Sequence, residues 1–197
     1  AEWQDQADAI EVWNGFWTRD DRLATDQWDS MLKAGRRLRA VGGTDYHRGE
    51  DALLPASLVY ADALSTPAIL NGMRRGRILL SEDTRGAKVL LTPISRNGGA
   101  SKSKALPGDI LPAPGDGEPV HLDAHITGGN GLFLRVVWAT GETVYPVTGA
   151  DTTLRILLPF PPKAKPLVYV RAELLRGSDK PAEAMMVALT NPLYFSR

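Results

Sequence analysis

The first half of the chain alternates between two hydrophobic periods. Ile10-Glu11-Val12-Trp13-Asn14 alternates as a half-buried strand does and stops at Gly15. From Leu23 to Ala34, the residues Ala24, Trp28, Met31 and Leu32 recur at helical spacing, and Gly35 ends the run. Leu38 to Val41 is a short apolar strand, Gly49 to Pro55 is a loop, and Ser57 to Ala61 is again a strand. Ser65 with Pro67 is a helix start signal, Gly76 is a stop, and Ile78-Leu79-Leu80 follows as a strand. Glu2 to Ala9 carries a helical pattern that leads into the first strand. Strands and helices taking turns predict α/β architecture with a largely parallel sheet.

The pattern changes near Thr84-Arg85-Gly86. Short runs follow at 87–92, 120–126, 133–139, 143–147, 153–158, 167–174 and 185–190. Ala139-Thr140-Gly141-Glu142 reads as a hairpin turn, while Ala105 to Pro119 and Pro159 to Pro166 are proline- and glycine-rich loops. The tract Gly98 to Lys104 reads as an exposed loop. Such strands predict an antiparallel, immunoglobulin-like β-sandwich. The expected division is therefore an α/β segment over residues 1–84 and a β-sandwich over 85–197.

Composition narrows the functions. With 197 residues, 43% hydrophobic and 23% charged, the chain can bury one large core or two small ones. Lysine plus arginine equals aspartate plus glutamate at 23 each, so nothing draws the whole chain to nucleic acid. The arginines at 36, 37 and 39, and at 74, 75 and 77, flank helix ends and read as solvated surface. The absence of cysteine excludes disulfides and thiolate zinc sites but leaves the compartment open. No apolar run approaches the ~20 residues of a membrane helix. The chain opens on Ala1 within a patterned segment, as the C-terminal piece of a longer or processed protein would.

Candidate chemistry concentrates in Gly42-Gly43-Thr44-Asp45-Tyr46-His47. On an extended backbone residues i and i+2 share a side, so Asp45 and His47 would face one pocket past a strand end. An oxygen donor beside a nitrogen donor suits zinc, iron or manganese. Asn14 also sits just past a strand end, and Trp13 and Trp17 bracket that end, whereas the other tryptophans are expected in packing. His121, Asp123 and His125 share one strand face, which reads as the solvated side of the sandwich. Thr127 to Gly131 lacks the helix and lysine of a phosphate loop and is a turn. No Ser/His/Asp or Cys/His triad can be assembled.

Glu11-Val12-Trp13-Asn14-Gly15, the helix bearing Trp28, Asp45-Tyr46-His47 and Leu189-Thr190-Asn191-Pro192 together resemble the polymerase and histidinol phosphatase (PHP) superfamily of metal-dependent hydrolases, in its CehA/McbA-type branch. The resemblance covers nearly the whole chain. It implies the C-terminal portion of a distorted α/β barrel with an appended β-domain. It also implies two or three divalent ions (zinc, manganese or iron), with Asp45 holding one and His47 another. Asn14, Trp13 and Arg48 would then line a cleft for a small ester substrate, phosphoester or carboxylic. The family's earlier ligands, beginning with a His-x-His pair, have no counterpart here, and no catalytic group beyond the metal ligands is assignable. The rest of the barrel would come from upstream sequence or another chain, and the 197 residues alone would be inactive. The alternative is a silent β-sandwich binding or docking module with a vestigial barrel segment. Neither reading implies nucleic acid or membrane as partner.

Overall fold

The structure, a computed structural model, describes residues 7–47, 54–94, 105–115, 118–159 and 167–196. Within them lie thirteen strands and two helices. In chain order these are β1 (Ala9–Asn14), α1 (Arg19–Lys33), β2 (Arg39–Gly43), β3 (Ala56–Val59), α2 (Thr66–Arg74), β4 (Ile78–Ser81) and β5 (Lys88–Pro93). The remainder are β6 (Ile110–Pro112), β7 (Val120–Thr127), β8 (Phe133–Trp138), β9 (Gly141–Pro146), β10 (Thr152–Leu158), β11 (Leu167–Arg176), β12 (Met185–Thr190) and β13 (Leu193–Ser196). Among the described residues no helix is long and apolar enough to cross a membrane.

Three sheets form three layers. The largest has eight strands, with the path β3-β4-β12-β11-β13-β6 and β8–β9 attached through β11. A three-stranded sheet, β10-β7-β5, covers one face of it, and β1–β2 with α1 cover the other. The two larger sheets make a β-sandwich. Its core holds Val89 and Leu91 of β5, Leu122, Ala124 and Ile126 of β7, and Val170, Ala172 and Leu174 of β11. The alternation of β7 explains this directly, because Val120, Leu122, Ala124 and Ile126 are buried and the residues between them are not.

The expected α/β barrel portion is not what the first half builds. Eight of the ten strand pairings are antiparallel, the exceptions being β1–β2 and β6–β13. The strand-helix-strand run β3-α2-β4 was expected to be parallel, yet β3 and β4 pair antiparallel and β4 continues onto β12. A four-residue apolar strand fixes no direction by itself. Antiparallel β12 supplies a ready edge, and Asn191 joins the turn beyond it to Ile78 of β4. The fold is β-rich and largely antiparallel rather than a PHP-type α/β barrel fragment. The eight-stranded sheet draws strands from both sides of residue 84.

α1 starts earlier than the apolar pattern indicates. The Asp21 carboxylate accepts from the Thr18 N–H and hydroxyl, both at 2.7 Å, and from the Asn14 N–H at 2.8 Å. One buried carboxylate thus caps the helix and ties it to the end of β1. Trp28, on the inner face of α1, is fully buried and donates its indole N–H to Leu38 O at 2.8 Å. The expected opening helix lies mostly outside the described residues, and its last residue, Ala9, begins β1. The tracts 98–104 and 160–166 are also outside the described residues. Within the long loop after β5, Ile110–Pro112 adds an unpredicted edge strand parallel to β13.

β11 shows its second period on the α1 side. Tyr169, Arg171, Glu173 and Leu175 point to that layer, where the two charged side chains are fully buried. Arg171 donates to Glu173 at 2.6 Å and to Asp29 at 3.3 Å, while Arg135 donates to Glu173 at 3.0 Å. Tyr169 donates to Asp29 at 2.7 Å, and Lys33 pairs with Asp29 at 2.7 Å. Arg171 also lies over the Trp28 ring, 5.0 Å from its centroid. Burial opposes ionisation of Glu173, but Arg171, Arg135 and Arg22 outweigh it and hold the pKa at about 2. Burial opposes Asp29 likewise, and Arg171 with the Lys33 and Tyr169 bonds holds it below the ordinary range. Breaking such a network is costly because the remaining charge is stranded away from water.

The β1–β2 pair is joined to the eight-stranded sheet by side chains rather than by a backbone ladder. The Asn191 amide accepts from the Ala40 N–H and donates to the Ala40 carbonyl, each at 2.8 Å, and also donates to Ile78 O at 3.3 Å. The Ser57 hydroxyl accepts from Gly42 N–H at 3.0 Å and donates to Gly42 O at 2.9 Å. Each side chain satisfies the donor and acceptor that one β2 residue turns away from β1.

Candidate functional site

β1 and β2 run parallel with α1 packed against β1, so the ends of both strands open on one side. Gly15 N–H donates to Gly43 O at 2.9 Å, which brings the segment after β1 against the exit of β2. Gly42 and Gly43 are the last residues of β2 rather than turn residues. Both pass close to their neighbours: a Cβ on Gly42 would stand 3.3 Å from Trp13 O, and one on Gly43 would displace the Glu11 carboxylate.

Beyond β2 the chain turns. Asp45 adopts a left-handed backbone (φ 49°), a conformation that aspartate tolerates better than most residues. The expected extended i, i+2 geometry is therefore replaced by a turn. That turn still brings the pair together, with His47 Nδ1 lying 3.5 Å from Asp45 Oδ1. The same Nδ1 lies 2.6 Å from the Asp45 backbone carbonyl. A carbonyl can only accept, so Nδ1 is the donor in this contact, and in the neutral ring the lone pair would lie on Nε2. Both side chains are largely exposed, at 57% for Asp45 and 79% for His47.

The other expected residues fall around this turn in different ways. Asn14 is exposed at the end of β1 and donates to Glu11 Oε2 at 3.0 Å. Glu11, which carried no assignment in the sequence, is thereby placed beside the exit of β2. Trp13 is 2% exposed, with its indole N–H donating to Gly15 O at 3.0 Å and its ring edge-on to Trp17 at 5.3 Å. Both tryptophans line a cavity of about 250 Å³ that Phe16, Leu54 and Met185 share. Arg48 lies outside the described residues.

No family model, curated protein or solved structure matches the chain. The site is therefore judged on its own geometry. Two donors of the expected kinds face solvent, and the histidine is held through Nδ1 by a carbonyl. That is how metal-binding imidazoles are oriented, with the other nitrogen free for the ion. Among the described residues no third His, Cys, Asp or Glu joins them in a metal-binding group. An oxygen and a nitrogen donor of this kind are chemically suited to a divalent ion, but two alone fall short of the three or four protein ligands usual for one.

The His121, Asp123 and His125 face is occupied by sheet contacts. Asp123 accepts from Arg155 at 3.1 and 3.3 Å, and His125 is bonded to Thr92 at 2.7 Å and Thr153 at 3.1 Å. These are cross-strand neighbours on the outer face of the three-stranded sheet. The arginines, by contrast, do more than the sequence suggested. Arg37 and Arg39 before and in β2, and Arg74 and Arg75 at the end of α2, line one cavity of about 770 Å³. These segments are distant in sequence and meet only in the tertiary fold, so no local pattern could announce the cavity.

Proposed function

We propose that the chain contributes two ligands, Asp45 and His47, to the divalent-metal centre of an ester hydrolase. The observation that carries this reading is the His47 Nδ1 contact with the Asp45 carbonyl, which leaves Nε2 and the Asp45 carboxylate exposed past the same strand end. Asp45 supplies a hard oxygen donor and His47 a borderline nitrogen donor, a pair suited to zinc, manganese or iron. A divalent ion there would lower the pKa of bound water and polarise a phosphoryl or carbonyl oxygen. Asn14, held by Glu11, stands beside that position as a hydrogen-bond donor for a substrate oxygen. The remaining ligands would come from outside the described residues.

The test is hydrolysis of phosphoesters and carboxylic esters by the full-length protein, with and without chelator. Activity should be abolished by chelation, restored by added zinc or manganese, and lost in Asp45→Asn and His47→Ala. Chelator-resistant turnover, or unchanged turnover in both variants, would refute the assignment.

A further inference from the structure

The cavity lined by arginines has features that a merely solvated surface does not require. Among the described residues its lining carries four arginines, Arg37, Arg39, Arg74 and Arg75, and one acid, Asp109, an excess of three positive charges. Asp109 is shared between Arg75 at 3.7 Å and Arg77 at 3.6 Å, and the exposed Asp8 lies 3.5 Å from Arg39. Among the described residues Arg37 and Arg74 have no carboxylate partner. The end of α2 favours cations, which accounts for Arg74 and Arg75. It does not account for two more arriving from the entry to β2, where they add repulsion.

The floor of the cleft is fixed by backbone. Gly108 (φ 86°) lies so close to the end of α2 that a Cβ there would collide with the Arg75 carbonyl oxygen, and its N–H donates to Pro192 O at 2.7 Å. Gly76 (φ 72°) lies against Gly108, its own Cβ position 3.4 Å from the Gly108 Cα. Tyr194 is buried in the same wall, close enough to Arg37 and Arg39 for their charges to act on its phenol. The entry to β2 and the end of α2, which bear the arginines, are thus set against a closely packed backbone floor.

We propose that this cleft binds a small anion carrying at least two phosphate groups. Guanidinium forks match phosphate oxygens in pairs, and arginines from two separate elements suit two linked anionic groups. A cavity of about 770 Å³ suits a small ligand. The low-lying positive field would concentrate such an anion before contact. The site is independent of the Asp45–His47 turn. It lies at the other end of β2, about 13 Å away at the usual rise per residue.

The experiment is calorimetric titration of the purified protein with inorganic pyrophosphate in chelator-containing buffer, so that no metal centre contributes. Citrate serves as the comparison for a carboxylate-bearing anion. One pyrophosphate should bind per chain. Arg37→Ala and Arg74→Ala should each weaken it about tenfold, the size of one lost charge-assisted bond. Arg37→Lys should recover part of the loss, and Asp109→Asn should tighten binding by removing the one acid. Both arginines are exposed, so folding is not at stake in their variants. No saturable uptake at millimolar pyrophosphate would overturn the proposal. So would affinities unchanged in both alanine variants, or citrate bound as tightly as pyrophosphate.

Discussion

Replacing Asn191 by alanine tests how the α1 layer is attached to the sandwich. The Asn191 side chain is 2% exposed and makes three hydrogen bonds, two of them to Ala40, which is fully buried in β2. Alanine leaves the Ala40 N–H and C=O without partners in the interior. Each such group costs ~1–3 kcal/mol, so the pair amounts to roughly 4 kcal/mol. The Ile78 carbonyl keeps the Asn191 N–H at 3.2 Å and adds little. For a chain of this size that stability change corresponds to a fall in melting temperature of about 8–16 °C. Urea unfolding followed by far-ultraviolet dichroism gives the free energy, and tryptophan fluorescence follows Trp13 and Trp28 within the detached layer. Ser57→Ala should cost less, because Gly42 is only half-buried. A loss under ~1 kcal/mol for Asn191→Ala would show that packing alone holds the layer and that the amide bridge is incidental.

The buried charges make further claims. Glu173→Gln should destabilise by ~3–5 kcal/mol, because three arginines then face a neutral group in the interior; a shift below ~1 kcal/mol in urea unfolding would contradict it. Acid should act through the same residues. The Glu173 pKa is held at about 2 against an ordinary 4.5, and that of Asp29 is lowered too, so the unfolded chain takes up protons first as pH falls. Stability should therefore be complete above pH ~4.5 and decline towards pH 2, by roughly 3 kcal/mol for Glu173. Acid melts flat across that window in the wild type would refute the assignment. At the alkaline end, burial raises the phenol pKa of Tyr169, which also donates to Asp29, and of Tyr194. The unfolded chain loses those protons first, so stability should fall above pH ~10 and fall less in Tyr194→Phe.

Strands were legible where one face meets core and the other water. β7 alternates at every position, and the two residues between Trp138 and Gly141 are the turn that joins β8 to β9. Helix α2 was legible from its ends, Ser65 and Gly76, because capping is local chemistry. Strand direction was not. Ser57 to Ala61 and Ile78 to Leu80 are short and mostly apolar, and such runs suit a parallel or an antiparallel neighbour equally. Alternation with helices favoured the parallel reading, and contact with β12, over a hundred residues away, decided otherwise. Arg171 and Glu173 illustrate the same limit. Charges alternating with apolar residues read as a wet face, yet α1 and Asp29 cover them.

The candidate site divides likewise. Asp45 and His47 were legible as a pair from spacing alone, although the left-handed turn at Asp45, and not an extended strand, brings them together. Glu11 has no role legible in the sequence, because an exposed glutamate on a strand carries no site signal until its neighbour Asn14 is placed. The arginine cleft was invisible for a different reason. Each half is unremarkable at its own helix end, and only the tertiary fold sums their charges.

Zinc and manganese titration of the full-length protein, read as metal content and affinity, tests the central claim most directly. Asp45 and His47 are exposed and outside both cores, so substituting either should leave the unfolding transition within ~0.5 kcal/mol of wild type. Asparagine at position 45 keeps the tolerance for the left-handed turn. Against that intact fold, Asp45→Asn and His47→Ala should each lower metal affinity at least about tenfold, with the double variant losing an ion. Wild-type metal content and affinity in both single variants would contradict the account.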